Sequence, residues 1–263
     1  MGNDEPASGY RRWALRIEYD GTGLVGWQRQ NNGVSVQALL EEAASRLVGD
    51  APVMTATAGR TDAGVHASSM VVQLDLPDDP RLDARQIRDG VSFHLKPHRV
   101  AILEAAQARP GWHARFSAIS RRYCYTILNR PTRPVIDLNH VWHVRRPLDA
   151  EAMHEAAQSL LGRHDFSSFR AASCQASSPI HTLDRLDVTR EGTFVRLDVE
   201  ARSFLHHQVR NLAGSLQLVG SGQWPVARIR VVLEACDRRV AGPTAPPDGL
   251  CLIGVGYELD PFG

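Results

Sequence analysis

The hydrophobic pattern of this chain switches period in a fixed order, and it does so twice. Trp13, Leu15, Ile17 and Tyr19 alternate with Ala14, Arg16 and Glu18, the spacing of a half-buried strand. From Ser35, a residue type that caps helices, Val36, Leu39, Leu40, Ala43 and Leu47 recur at helical spacing, and Gly49 supplies a stop. Residues 53–58 and 69–76 read as strands, a helix starts near Asp83, and residues 99–106 read as a strand. The order is β-α-β-β-α-β. After a joint across residues 107–120, a strand at 121–128 is followed by a helix that Asp149 caps, running through Met153, Ala156, Ala157, Leu160 and Leu161 and closed by Gly162. Residues 182–188 and 194–201 then form a hairpin around Glu191-Gly192. A helix follows that carries His206, His207, Val209, Leu212, Ala213, Leu216 and Val219, then a short helix at 229–235 and a last strand at 250–259. The second half repeats the order of the first with one extra helix.

This order predicts an α+β chain of two tandem ferredoxin-like (split βαβ) halves, whose antiparallel sheets carry helices on one face, with an active-site cleft between the halves. The expected divisions are a disordered stretch at 1–10, a first half at 11–110 and a second at 111–263. The polar opening MGNDEPASGY lacks an apolar segment, and no later run approaches the roughly 18 apolar residues of a membrane span. A cytoplasmic protein with no membrane partner is expected. Cys124, Cys174, Cys236 and Cys251 stand far apart without a CxxC pair, so reduced packing thiols are expected, with no metal. Lys96 is the single lysine among 30 basic residues, and the formal net charge is +1. Arginine forks suit phosphates and base edges better than ammonium groups do.

Between the second and third strands lies AGRTDAGVHA, residues 58–67. Asp62 there has a bland reading, a turn residue whose side chain bonds the backbone. Crowding Arg60, Asp62 and His66 into one short polar connection is unfavourable if the segment only turns the chain, so a functional loop on a rigid scaffold is the sharper reading. The chain holds no GxxxxGK[ST], no GxGxxG after a strand, no HExxH and no GxSxG. His206 and His207 are adjacent rather than i, i+4, which suits capping or packing better than a metal pair. What remains is a lone carboxylate with arginines and aromatics, a set that fits chemistry without a cofactor.

YDGT (19–22) with GWQ (26–28), GRTDAGVHA (59–67), FSAISRRYCY (116–125), DFSSFR (165–170) and FLHHQVRN (204–211) together resemble the tRNA pseudouridine synthase A (TruA) family, in order, from about Tyr19 to Tyr257. The resemblance implies isomerisation of uridine to pseudouridine in the anticodon stem-loop of tRNA, by a homodimer whose two subunits contact one tRNA. Asp62 matches the family's catalytic aspartate, attacking C1′ of the ribose or removing its 2′ proton; both routes stay open. A glycosidase needs a second carboxyl group to protonate its leaving group, whereas uracil departs as a delocalised anion, so one carboxylate suffices.

Burial under a base would push the Asp62 carboxyl up, so a cation is needed to keep it ionised. Arg210 matches the family arginine paired with the aspartate; without the resemblance it reads as a solvated helix arginine. Tyr123 matches the family's active-site tyrosine, stacking on an everted uracil, although its strand position also suits the core. Arg60 matches the arginine that holds the displaced nucleotide, with His66, Arg121 and Arg122 as further substrate contacts. Arg11, Arg12 and Arg115 are phosphate candidates. Two departures stand out, Leu24 where the family commonly has tyrosine, and SFHLKPH (92–98) in place of an asparagine-rich pattern. The rival readings are a tRNA-binding protein or chaperone without catalysis, and a nucleoside hydrolase that releases uracil.

Overall fold

The computed structural model describes residues 5–263. Up to Ile119, together with Leu252–Gly263, the chain forms one unit, and Ser120–Cys251 forms a second. Residues 1–4 of the stretch expected to be disordered lie outside the described residues. Beyond them Glu5 Oε1 accepts from the Gly111 N–H at 3.0 Å, and Tyr10 opens the first strand.

The first unit contains β1 (Tyr10–Tyr19), α1 (Val36–Leu47), β2 (Met54–Thr57), β3 (His66–Pro77), α2 (Ala84–Leu95) and β4 (Val100–Gln107), the expected β-α-β-β-α-β order. Its strands run β4-β1-β3, antiparallel throughout, and β2 pairs antiparallel with β3 from Met54 opposite Asp75 to Thr57 opposite Val72. Both helices start where their caps dictate. Ser35 Oγ accepts from the Ala38 N–H, and Asp83 exchanges hydrogen bonds with Gln86 in a capping box. The apolar stripes, Val36, Leu39, Leu40, Ala43 and Ala44 on α1 and Ile87, Val91 and Leu95 on α2, are buried with the alternating face of β1. Each such side chain contributes about 1.5–3 kcal/mol through burial.

The opposite face of this sheet is not uniformly open. Arg12, 6% exposed, forms a bidentate pair with Asp75, both bonds 2.9 Å, and donates to the Trp112 carbonyl at 3.1 Å. Its charge is spent inside the protein, which removes Arg12 from the phosphate candidates. A guanidinium taken out of water needs this full set of partners.

The second unit contains β5 (Ala118–Asn129), β6 (Trp142–Val144), α3 (Ala150–Gln158), β7 (Gly162–Asp165), β8 (Ile180–Leu183), β9 (Arg185–Glu191), β10 (Phe194–Ala201), α4 (Gln208–Gly220) and α5 (Arg228–Ala235), and β11 (Leu250–Tyr257) starts there before entering the first unit. β10 pairs antiparallel with both β5 and β9, β6 runs parallel to β5, and β7 and β8 form a separate two-stranded ribbon. With the helices set beside antiparallel sheet, the class is the expected α+β split βαβ. Three details differ from the sequence reading. Helix α3 ends at Gln158 rather than at Gly162, which has φ +93° and opens β7 instead. The segment read as one strand at 182–188 is two, because β8 pairs with β7 and β9 with β10. Helix α4 begins at Gln208, so His206 and His207 precede it.

Candidate active site

In the first unit the connection from Ala58 to Val65 is held by a second loop, residues 20–28, pressed against it. The Trp27 N–H donates to the Thr61 carbonyl at 3.0 Å and the Gly64 N–H to the Leu24 carbonyl at 3.2 Å. The Tyr19 hydroxyl lies 2.7 Å from Thr61 Oγ1, a buried pair immediately beside Asp62. Two glycines make the approach possible. A Cβ on Gly21 would overlap the Val65 carbonyl, and one on Gly26, which has φ +101°, would stand 2.6 Å from the Thr61 oxygen and 3.0 Å from the Asp62 carbonyl carbon.

Within this frame Asp62 is half-buried. The turn is closed by its main chain, the Asp62 carbonyl accepting from the Val65 N–H at 3.1 Å. Arg60 is exposed, and its Nη1 donates to Gln28 Oε1 at 2.6 Å, so the guanidinium is carried at the rim of the two loops.

His66, the first residue of β3, is 5% exposed. Its Nδ1 accepts from the Gly21 N–H at 3.0 Å and stands 3.1 Å from Asp20 Oδ1. The two contacts compete for Nδ1, since the Gly21 N–H uses its lone pair and an ion pair with Asp20 needs its proton. Asp20 in turn accepts from the Thr22 N–H at 2.9 Å and from Arg99 at 2.6 Å. His66 therefore ties the end of the 58–65 connection to the neighbouring loop.

In the second unit Tyr123 stands on β5 opposite Val199 of β10. It is 8% exposed and meets Phe204 edge-on, ring centroids 5.2 Å apart and planes at 88°. Arg122 points to the other side of the strand and is exposed, whereas Arg121 is 7% exposed and donates to the Arg202 carbonyl at 2.6 Å. Arg121 thus fastens β5 to the chain after β10, and this is the geometry of a wall rather than of a free phosphate contact. Of the remaining phosphate candidates, Arg11 pairs with Asp78 at 2.5 Å, and Arg115 is exposed.

Arg210 lies in the first turn of α4, half-buried, its Nε donating to the Ala245 carbonyl at 2.8 Å while its own carbonyl accepts from the Ala245 N–H at 3.1 Å. A cation at the positive end of a helix is electrostatically unfavourable, so this placement points to a partner of opposite charge. Its field also reaches Tyr125, whose hydroxyl burial pushes well above the usual phenol range while the Arg210 charge opposes that rise.

His207 occupies the N-cap of α4 with φ +61°, a left-handed conformation that a non-glycine residue adopts at a cost of about 1 kcal/mol or more. Its ring centroid is 4.0 Å from that of His206. The main chain of His206 donates to Cys174 Sγ and accepts from the Ala171 N–H, tying the α4 entry to the chain just after the DFSSFR segment. In that segment Phe166 and Phe169 are fully buried and the Phe169 carbonyl accepts from Asn211 Nδ2, so its aromatics build core.

Sequence reasoning gave no role to Tyr19, Asp20, Gly26 or Gln28. Their signal was present in the YDGT and GWQ stretches, but a contact across 42 residues, as between Tyr19 and Thr61, leaves no periodicity to read.

A tRNA pseudouridine synthase family model matches residues 156–258. The chain is 63% identical over 261 residues to the tRNA pseudouridine synthase A of Gluconobacter oxydans, covering 98% of this chain and 95% of the relative. It is 64% identical to the enzyme of that name from Acidiphilium cryptum, over 96% of this chain and 98% of the relative, and 53% identical to that of Rhodospirillum rubrum, over 94% and 87%. The chain belongs to the tRNA pseudouridine synthase A family.

Proposed function

We propose that this protein isomerises uridine to pseudouridine in the anticodon stem-loop of tRNA, with Asp62 as the catalytic carboxylate. The observation that carries this reading is the rigid mounting of Asp62. Its main chain closes the turn, and its neighbours Thr61 and Gly64 are bonded to a second loop, so the acid is held in one position before any substrate arrives.

Uridine in a stem is out of reach until it leaves the stack, so the base is everted and Arg60, at the rim of the loops, holds the space it vacates. The ribose then meets the Asp62 carboxylate. Attack at C1′ or removal of the 2′ proton both begin with an ionised acid, and in both the N1–C1′ bond breaks, uracil turns and C5 joins C1′; C5 then loses its proton, N1 ends protonated, and Asp62 either leaves C1′ or returns the 2′ proton. Arg210 supplies the positive charge that keeps Asp62 ionised when the base excludes water, and Tyr123 stacks on the displaced uracil. Arg122 makes a phosphate contact. The enzyme works without a cofactor, in the cytoplasm, as a homodimer that engages one tRNA with both subunits. Among the described residues no helix is long and apolar enough to cross a membrane.

The test is incubation of the protein with unmodified tRNA followed by mapping of pseudouridine. Pseudouridine in the anticodon stem-loop supports the reading. Binding without isomerisation would make the protein a tRNA chaperone, and release of free uracil would make it a hydrolase.

A further inference from the structure

We infer that Phe116 is a stacking platform for an unpaired tRNA base, with Arg115 beside it to meet the adjoining phosphate. The inference rests on the tRNA reading above and adds to it a contact with a defined chemistry.

The segment 112–118 is fastened to its unit at three points. Trp112 is 8% exposed and its carbonyl accepts from Arg12, the Ala114 carbonyl accepts from the Tyr257 hydroxyl at 2.7 Å, and Ala118 is buried. Between these anchors the chain makes a tight turn around one imidazole. His113 Nδ1 accepts from the Arg115 N–H at 3.0 Å and more weakly from the Phe116 N–H at 3.4 Å, the Ser117 N–H donates to the His113 carbonyl, and Ser117 Oγ accepts from the His113 N–H. A turn so tied has little freedom to fold its side chains inward.

Phe116 is nevertheless 64% exposed, at a position where solvent-facing turns ordinarily carry polar residues. Its ring already begins a stack. The His113 ring is 4.4 Å away, centroid to centroid, with the planes 36° apart, and the Arg115 guanidinium carbon lies 5.8 Å from the Phe116 centroid. A nucleobase added to the open side extends that stack, while the cation alongside suits a phosphate and disfavours an acidic or purely apolar occupant. RNA is read largely through bases splayed from loops onto such aromatic surfaces. Because the turn is ordered beforehand, little conformational entropy is lost on binding.

The experiment measures tRNA affinity of the wild type and of Phe116→Ala, Phe116→Leu, Phe116→Trp and Arg115→Ala across a salt series, with thermal stability and sedimentation recorded for each. Phe116→Ala and Phe116→Leu are expected to weaken binding about 10-fold at every salt concentration, with Tm unchanged, and Phe116→Trp to restore it. Arg115→Ala is expected to lower the slope of log affinity against log salt by about one. Full affinity in Phe116→Ala, or rescue by Phe116→Leu, would overturn stacking. Dissociation of a wild-type dimer by Phe116→Ala would assign the surface to a second copy of the chain instead. Wild-type protein that forms pseudouridine while Phe116→Ala binds normally removes only the platform, whereas wild-type protein that fails to bind tRNA removes the reading beneath it as well.

Discussion

The two units make the same join in two ways. In the first, β2 and β3 are connected by residues 58–65; in the second, β9 and β10 are connected by Gly192 and Thr193 alone, with Gly192 at φ +58°. Two residues suffice for a hairpin. The longer connection loses little to loop closure, about 0.6 kcal/mol per doubling of length, but fixing each added residue costs about 1–2 kcal/mol. The 20–28 loop and the end of β1 offset that cost with the Trp27, Leu24 and Tyr19 hydrogen bonds to the connection. Spending so much order on an eight-residue link is explained by what it carries, a carboxylate in a fixed place. The hairpin carries no such group and needs no support.

The contrast is sharpened first from the second unit. If the cation at the start of α4 serves the acid, Arg210→Ala lowers kcat by about 10³-fold while tRNA affinity changes much less. Equal losses in both would make Arg210 a phosphate contact. Next comes the support itself. Gly26→Ala forces a Cβ to within 2.6 Å of the Thr61 oxygen at a backbone angle alanine resists, and a displacement of this size at a catalytic group costs about 10²-fold in kcat. Normal turnover in that variant would show that the loop pair does not set the position of Asp62.

Tyr19→Phe removes one buried hydrogen bond, lowering stability by about 1 kcal/mol and kcat by about 10-fold, whereas Thr61→Ser keeps the hydroxyl and most of the rate. Denaturant unfolding together with steady-state kinetics separates the two effects. The smallest change is expected in the other join. At Gly192 a Cβ meets open space, so alanine costs about 1 kcal/mol for its left-handed angle and leaves turnover untouched. A large loss of activity in Gly192→Ala would erase the distinction between the two connections.

Legibility followed the same division. The first unit was readable because each element has its own period and its own cap: Ser35 and Asp83 sit where predicted, and each side chain accepts from the expected backbone N–H, as Asp149 does for α3 of the second unit. β6, β7 and β8 were not identified as elements of their own, since three or four residues show no period and their pairing depends on partners distant in sequence. An arginine in a sequence declares a charge but not its partner. Arg12 and Arg121 read as surface cations, yet Asp75 and the Arg202 carbonyl hold them inside. His207 departs from the helix for a reason invisible to periodicity, a left-handed N-cap. The acid loop itself stood out because glycines, an arginine, an aspartate and a histidine crowd a stretch that is neither helix nor buried strand.

Side-by-side mapping of pseudouridine made by the wild type and by Asp62→Asn on the same unmodified tRNA tests the central claim most directly. The change removes the charge and preserves the shape, so the account predicts that the variant binds tRNA with affinity within about threefold of the wild type and loses at least about 10³-fold in turnover. Pseudouridine formed at a comparable rate by Asp62→Asn would contradict it and move the chemistry to another residue.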